Sequence, residues 1–530
     1  MKRLFFTIFV GLSAATALQA QETYLNDRMT NTSDVIGTAR YVGMGGAMGA
    51  LGADISVISN NPAGVALMSK NNISFTLGSQ IQDAAPAYGD GRAVFTFDQI
   101  GFVAAFNDDE DNRLNFSFNY QKKANYNHSI FAQQPLDGLS QADMFAWIAN
   151  GTAQVNSSNQ YTFGSPFYDN LYGAGFFKEF TPAPGAETYF RNLERGQQAN
   201  FYRHTWGGLQ GFDINLSGSY QNRAFFGITM GIDNIRYRQD VSYEEIGSQS
   251  YVLYQDQDVN GTGLNFKFGT IIRPIEDSPF RFGVTVETPT WMTLRHTAHA
   301  GLSVIQANGQ YTDPSYINDD NYLEYNVFTP WKFRASLGST VDDFLAWDVE
   351  YEYSMNDYTK MGYPRESYDD YYGNGGTSVD MDKDKAMGEL THRMTRGVHN
   401  LRAGLELRPF SEVAFRVGYN YYSSPFEKNA RLDQTVNSGA MDFTTTTEYI
   451  NLGEKHLLTM GLGYQGKHFF ADLAFKYTYQ RGEFYAFDDN FTSYNTNFIA
   501  DNPTLANKQL KPTNLNLDRY NVAVTLGCKF

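Results

Sequence analysis

Past residue 70 the dominant period in this chain is two. In Leu114-Asn115-Phe116-Ser117-Phe118-Asn119-Tyr120 every second residue is apolar and its neighbours are polar. The alternation returns in Phe212-Asp213-Ile214-Asn215-Leu216-Ser217 and in Leu473-Ala474-Phe475-Lys476-Tyr477-Thr478-Tyr479. A two-residue period places alternate side chains on opposite faces of a strand, so it excludes a helical reading. Strands are expected near 72–81, 92–107, 112–126, 209–221, 222–240, 261–273 and 279–297. A second set follows near 329–340, 343–358, 397–409, 410–424, 456–466, 467–482 and 517–530. Their connections alternate in length. Short ones fall at Asn107 to Asp111, Gln221-Asn222, Pro274 to Ser278, Val341-Asp342, Arg408 to Ser411 and Gln465 to Lys467. The others (82–91, 127–208, 241–260, 298–328, 359–396, 425–455 and 483–516) run longer.

That parity is the signature of a barrel that crosses a membrane, with tight turns on the inner side and long loops outside. The polar face of these strands is small and rich in hydroxyls and amides, and tyrosines recur toward strand ends, as in Tyr351, Tyr353, Tyr419, Tyr421 and Tyr422. In lipid only a helix or a closed barrel satisfies its own backbone, and no apolar run of helix-spanning length follows the first twenty residues. The sequence therefore predicts an all-β fold: a 14-stranded antiparallel transmembrane barrel over 72–530, ending on Phe530 in its apolar register. Such a barrel accounts for a chain with 15% aromatic residues and a mean hydropathy of −0.43, because only alternate strand residues face lipid.

Lys2 and Arg3 precede an apolar run and then Leu18-Gln19-Ala20, the order of a secretory signal over 1–20. Export to the outer membrane of a Gram-negative cell follows, with outer-membrane lipid and lipopolysaccharide as surroundings. Acidic outer-loop pairs such as Asp319-Asp320 and Asp369-Asp370 read as a solvated face. A formal charge of −16 argues against a nucleic-acid partner, and a single cysteine excludes a disulfide framework or thiolate metal cluster within the chain. Residues 21–71 do not fit the strand count. They hold small residues from Gly43 to Gly52 and the turn Asn60-Asn61-Pro62-Ala63-Gly64, and they read as an N-terminal plug, or hatch, inside the lumen.

The glycine- and alanine-rich stretch, Asn61-Pro62-Ala63 ahead of fourteen strands, and the segments Phe415-Arg416-Val417-Gly418-Tyr419 and Ser423-Ser424-Pro425-Phe426 resemble the FadL/TodX family of outer-membrane transporters. The resemblance spans nearly the whole mature chain, and outside the hatch it is architectural. It implies Asn61, Pro62 and Ala63 as the hatch motif. It also implies passive uptake of hydrophobic small molecules, foremost long-chain fatty acids, through a lumen pocket and out through the wall near a kinked third strand. Neither glycine nor proline occurs in 112–126 to place such a kink.

In loop 127–208, Ser140 is a candidate cap for a helix carrying Met144, Phe145, Trp147 and Ile148, followed by an apolar cluster with Phe167, Leu171, Tyr172, Phe176 and Phe177. These residues form either an outer hydrophobic groove (Met144, Phe145, Trp147, Ile148, Leu171, Tyr172, Phe176, Phe177) or the loop's own core. Asp256-Gln257-Asp258-Val259-Asn260-Gly261 begins like a calcium loop, but Lys267 stands where the twelfth-position glutamate belongs; a structural turn is expected there. His296 and His299, three apart on a strand, point to opposite faces. No catalytic set and no metal site emerges, and no cofactor is expected. The chain is expected to be a monomer that is not an enzyme. A second function class stays open, a barrel of this shape serving as a scaffold or shuttle in protein secretion and surface attachment. A third, an outer-membrane lipase, requires Ser and His side by side on the outer wall.

Overall fold

The computed structural model describes residues 21–30, 34–82, 93–107, 112–163, 166–275, 278–305, 310–312, 315–317, 322–364, 381–433 and 446–530. The expected signal segment and the pairs Asp319-Asp320 and Asp369-Asp370 lie outside these residues.

Fourteen strands follow one another in chain order. The first seven are β1 (Asn72–Gln82), β2 (Ala93–Asn107), β3 (Arg113–Asn125), β4 (Gly196–Tyr220), β5 (Ala224–Gly247), β6 (Tyr251–Ile272) and β7 (Arg281–Glu287). The second seven are β8 (Lys332–Val341), β9 (Leu345–Ser354), β10 (Val398–Phe410), β11 (Val413–Tyr422), β12 (Tyr449–Gln465), β13 (Phe469–Tyr485) and β14 (Arg519–Lys529). Each pairs antiparallel with the next. β14 returns to β1, in register from Asn72↔Lys529 to Gln82↔Arg519, and closes the barrel.

The wall is inside out relative to a soluble protein. On β1, Ile73, Phe75 and Leu77 are 46%, 39% and 53% exposed, while Ser74 and Thr76 between them are 2% and 0% exposed. The same holds around the ring, with Phe116, Ile228, Phe268, Phe333, Val417, Leu462 and Leu526 outward, and Asn115, Asn119, Asn215, Asn265 and Thr525 buried within. Apolar surface on the outside of a closed barrel is stable only against hydrocarbon. The molecule is a transmembrane barrel of the outer-membrane type.

Several strands outrun the membrane, and there their polarity inverts. Along β5 the apolar residues Ile228 and Ile232 face out, but from Ile235 onward Tyr237, Val241 and Tyr243 face in, with unbroken register to β6. Above the lipid the outside is water, so the polar residues take the outer face.

This corrects two sequence expectations. Segment 241–260 is not a loop, because β5 and β6 carry the hairpin to Gly247 and Tyr251. Asp256-Gln257-Asp258-Val259-Asn260-Gly261 is neither turn nor calcium loop but the middle of β6; Asp256, Asp258 and Asn260 alternate because they share the water-facing register. His296 is fully buried and His299 is not, on opposite faces of strand Trp291–Val304. Expected strand 279–297 breaks at Thr288-Pro289-Thr290, and its neighbour breaks beside it at Thr329-Pro330-Trp331. Proline cannot donate to the ladder, and Thr290 N bonds Thr329 Oγ1 instead (2.8 Å).

Outside the membrane, strand His128–Pro135 pairs with β4. Helices α1 (Gln141–Thr152) and α2 (Pro166–Gly173) pack on these strand extensions around a large apolar core that also takes Phe201, Tyr243, Phe484, Phe487 and Phe491. The barrel mouth is thus covered by a folded cap.

Candidate functional site

Residues 34–68 lie inside the barrel. They form a short helical turn (Ala39–Gly43) and two 3-10 turns (Ile55–Ser59 and Pro62–Leu67), almost wholly buried. Asn61, Pro62 and Ala63 sit at their centre. Asn61 caps the second 3-10 turn, its side chain accepting from Ala63 N (3.1 Å), and its amide donates to Gly49 O (2.8 Å) and to Thr270 O of β6 (3.1 Å). The approach requires glycine in the wall: a Cβ on Gly227 of β5 would lie 2.4 Å from the Pro62 carbonyl carbon, and one on Gly269 of β6 would lie 2.1 Å from Asn61 Oδ1.

Strands all round the barrel reach this inner segment. Asp348 of β9 accepts from Ala50 N and Leu51 N (2.9 and 2.8 Å), Asn115 of β3 donates to Val65 O and Met68 O (2.7 and 2.8 Å), and Ala39 N donates to Thr525 of β14 (2.7 Å). Glu406 of β10 takes Arg40 (3.0 Å), Arg408 (2.7 Å) and Arg416, and Arg416 also pairs with Asp472 (2.6 Å). Burial alone would raise the Asp34 carboxyl, but Lys476, Arg519 and Lys455 outweigh it and hold it well below the usual range; Lys476 stands 3.2 Å away.

Above the segment lies a layer of ion pairs: Arg334 with Glu287 (2.7 Å) and Glu352, Arg402 with Glu350 (2.6 Å), and Lys123 with Asp233. A cavity of about 90 Å³ threads this layer beside Asn60 and Asp34.

Higher still is a chamber of about 200 Å³. A ten-residue helix, Gln21–Thr30, lies in it. Tyr24, Leu25 and Met29 of that helix join an apolar cluster with Tyr126, Tyr237, Phe426, Tyr449 and Tyr485. Its polar ties include Tyr24 Oη to Asn451 (2.7 Å), Thr23 Oγ1 with Thr391 Oγ1 (2.9 Å) and Tyr126 Oη to Met29 O (2.7 Å). Arg28 donates to Tyr237 Oη (2.9 Å). The chamber is lined by aromatic and aliphatic residues (Tyr126, Tyr422, Phe426, Leu452, Leu517), by cations (Arg28, Arg203, Lys332, Lys455, Arg519) and by the carboxylates Asp27, Asp34 and Glu352, with Lys455 Nζ 4.8 Å from the Tyr422 ring centre. Sequence reading missed these residues. Their visible trace is the phase change in the alternation, as between Ile232 and Ile235 or at Tyr421-Tyr422.

The outer-groove expectation needs correction. Met144, Phe145, Ile148, Leu171, Phe176 and Phe177 are buried in the cap core, with Trp147 and Tyr172 at its edge, so of the two alternatives they form the loop's own core; only Trp147 and Ile148 among them also border a cavity of about 280 Å³, shared with Tyr494. Ser140 caps the helix as expected, accepting from Ala142 N (3.1 Å). Burial raises the Asp143 carboxyl to about 8, with Glu245 adding to the rise and Arg195 opposing it.

Wall pairing is uneven at the third strand. β2 and β3 are in register from Asn107↔Arg113 only as far as Gln99↔Gln121. Beyond that point β2 continues beside β1 to Ala93 and β3 continues beside β4 to Asn125, with a bulge at Lys122/Ala124. Side-chain amides of Gln80 and Gln82 engage the backbone at Asn127 and Ser129, which β2 leaves unpaired.

No family model and no curated protein matches the chain. Solved structures resemble it in architecture. A Pseudomonas aeruginosa FadL homologue is 12% identical, covering 94% of this chain and 99% of its own, with a TM-score of 0.49. The P. putida toluene transporter TodX is 11% identical over 94% of this chain and 99% of its own (TM-score 0.44). The CymD monoaromatic hydrocarbon channel is 10% identical over 93% and 97% (TM-score 0.45).

Proposed function

We propose that this barrel is a passive outer-membrane transporter of hydrophobic small molecules, with long-chain fatty acids as its substrates. The supporting observation is the chamber. It lies at the outer level of the lumen, is lined by apolar side chains and by more cations than carboxylates, and is floored by an N-terminal segment that fills the barrel below. Burial of a chain against Tyr126, Phe426, Leu452 and Leu517 supplies affinity at roughly 25 cal/mol per Å², and the cations suit a carboxylate. Residues 21–71 act as the hatch: Asn61-Pro62-Ala63 anchors its fixed part, and helix Gln21–Thr30 is the part that yields. The end of pairing between β2 and β3 marks the place where an apolar cargo leaves sideways into lipid, since a strand edge without partners opens at least cost.

Binding of radiolabelled fatty acid to the purified barrel tests the reading. Saturable binding in the wild type, altered by deletion of the hatch, is the expected result. No saturable binding in either protein would overturn it.

A second reading is favoured by one observation. The ion-paired layer around Arg334, Arg402 and Lys123 makes the middle of the lumen polar, which suits a scaffold for secreted proteins whose cap is the docking surface. Cap variants that lose a bound protein while uptake is unchanged would support it.

A further inference from the structure

The cap buries Phe177, Phe190, Phe487 and Phe491 almost completely, yet leaves Tyr494 70% exposed. Tyr494 ends the short helix Phe491–Tyr494 and borders the surface cavity of about 280 Å³ together with Trp147. The rest of the lining is Ile148, Asn150, Gly151, Asn495 and Thr496. None of these residues is charged, in a chain with 57 acidic and 41 basic side chains. The frame around the cavity is fixed. Asn150 Nδ2 donates to Ala146 O (2.9 Å) and Phe190 O (2.8 Å), and its Oδ1 accepts from Phe190 N (2.6 Å). Asn495 caps the following helix, Thr496–Asp501, its Oδ1 accepting from Asn497 N and Phe498 N (3.1 Å each). Phe498 packs edge-on against Phe491, with ring centres 4.9 Å apart. Four polar groups at the cavity are left over: Trp147 Nε1, Tyr494 Oη, Asn495 Nδ2 and Thr496 Oγ1 make no hydrogen bond among the described residues. Gly151 lies in the last turn of α1, where carbonyl groups outnumber the N–H groups that can serve them.

We propose that this cavity is a glycan site that takes an uncharged sugar ring, packed against Trp147 and Tyr494 and held at its hydroxyls by Asn495, Thr496 and the end of α1. The chemistry of the lining selects that class. An ion is bound through charge, and none is present. A hydrocarbon would cover the unengaged donors and leave them unpaired, which is costly. A pyranose meets both demands: its C–H face packs on an aromatic ring, and its hydroxyls donate and accept around the rim. The volume lies at the small end of the range for small-molecule pockets. The site is on the cap, apart from the chamber, and stands independently of the uptake reading. Two sources present such rings outside the cell, the polysaccharide of lipopolysaccharide and saccharides dissolved in the medium.

The test uses the full chain in a polyoxyethylene detergent, whose head group carries no sugar. Maltose, lactose, chitobiose and lipid-free outer polysaccharide released from lipopolysaccharide are titrated by calorimetry, with dodecanol and sialyllactose as apolar and anionic competitors. In the wild type at least one neutral glycan binds saturably and neither competitor displaces it. Binding by the polysaccharide alone places the source on the cell's own surface, whereas binding by a disaccharide admits dissolved saccharides; both results support the site. Tyr494→Ala, at an exposed position, should weaken the bound glycan about tenfold without moving the unfolding temperature, and Tyr494→Phe should keep most of the affinity because the ring remains. Asn495→Asp keeps the oxygen that caps the helix and removes the Nδ2 donor, so it should weaken the glycan while the cap stays folded. No saturable binding by any of the four glycans would overturn the proposal. Displacement by dodecanol would make the cavity an apolar patch, and tighter binding of sialyllactose than of lactose would make it an anion site; either result would overturn it, as would unaltered affinity in Tyr494→Ala.

Discussion

Two parts of the N-terminal region occupy the same lumen on different terms. Residues 34–68 are tied to strands around the ring by carboxylate, amide and ammonium side chains, among them Asp348, Glu406, Asn115 and Lys476. Helix Gln21–Thr30 packs through Tyr24, Leu25 and Met29 in a cluster rich in methionine and tyrosine that includes Met361, Met387 and Met394, and its polar ties include hydroxyl and amide partners such as Thr391, Asn451, Tyr126 and Tyr237. Hydrogen bonds to buried charges are directional and fix one position, whereas thioether and aromatic packing adapts to a new occupant. On the proposed uptake reading the lower part is the fixed floor and the helix the replaceable filling.

The sharpest way to break that contrast is to cut a tie of the floor. Glu406→Gln leaves Arg40 and Arg416 facing a neutral amide and should cost about 3–5 kcal/mol, read as an earlier midpoint in urea unfolding from lipid vesicles. A smaller loss would mean that the floor is held by packing alone. Phe75→Arg places a charge in the lipid belt without touching the lumen and should cost about 2–4 kcal/mol by the same measurement, with fatty-acid binding of the folded fraction unaltered. Truncation within the filling should act the other way. Tyr24→Ala with Met29→Ala removes the helix's grip, so the unfolding midpoint moves little while the apparent affinity for fatty acid rises, because a competitor for the chamber has been weakened.

The smallest effect concerns the cap. Asp143 titrates in the unfolded chain at the ordinary carboxyl value and in the folded cap at about 8. The folded state therefore holds the extra proton between those values, and the stability it confers falls as pH rises through that window and is lost above it. Asp143→Asn should flatten the pH dependence of proteolytic nicking in residues 140–200 between pH 5 and 8. An unchanged slope would show that Asp143 does not govern the cap.

The barrel was legible because its physics is periodic. Lipid on one side and polar lumen on the other impose the alternation seen in Leu114 to Tyr120, and the inner turns must be short. What lay beyond the lipid was not legible by the same rule. Above the membrane water replaces hydrocarbon, so the apolar phase of β5 moves to the inside at Ile235, and the alternating acids of Asp256 to Asn260 imitate a metal loop. The cap residues Met144 to Phe177 showed that apolar side chains gather there, but a closed core and an open groove share one composition.

The central claim is that the helix Gln21–Thr30 must leave the chamber for cargo to pass. Thr23 and Thr391 face each other with their hydroxyls 2.9 Å apart, so Thr23→Cys with Thr391→Cys, in a Cys528→Ser background, allows the helix to be locked by oxidation and released by reduction. Fatty-acid uptake into vesicles carrying the protein should fall to the protein-free rate when oxidised and recover when reduced. Uptake that runs equally fast in the locked state would contradict the account.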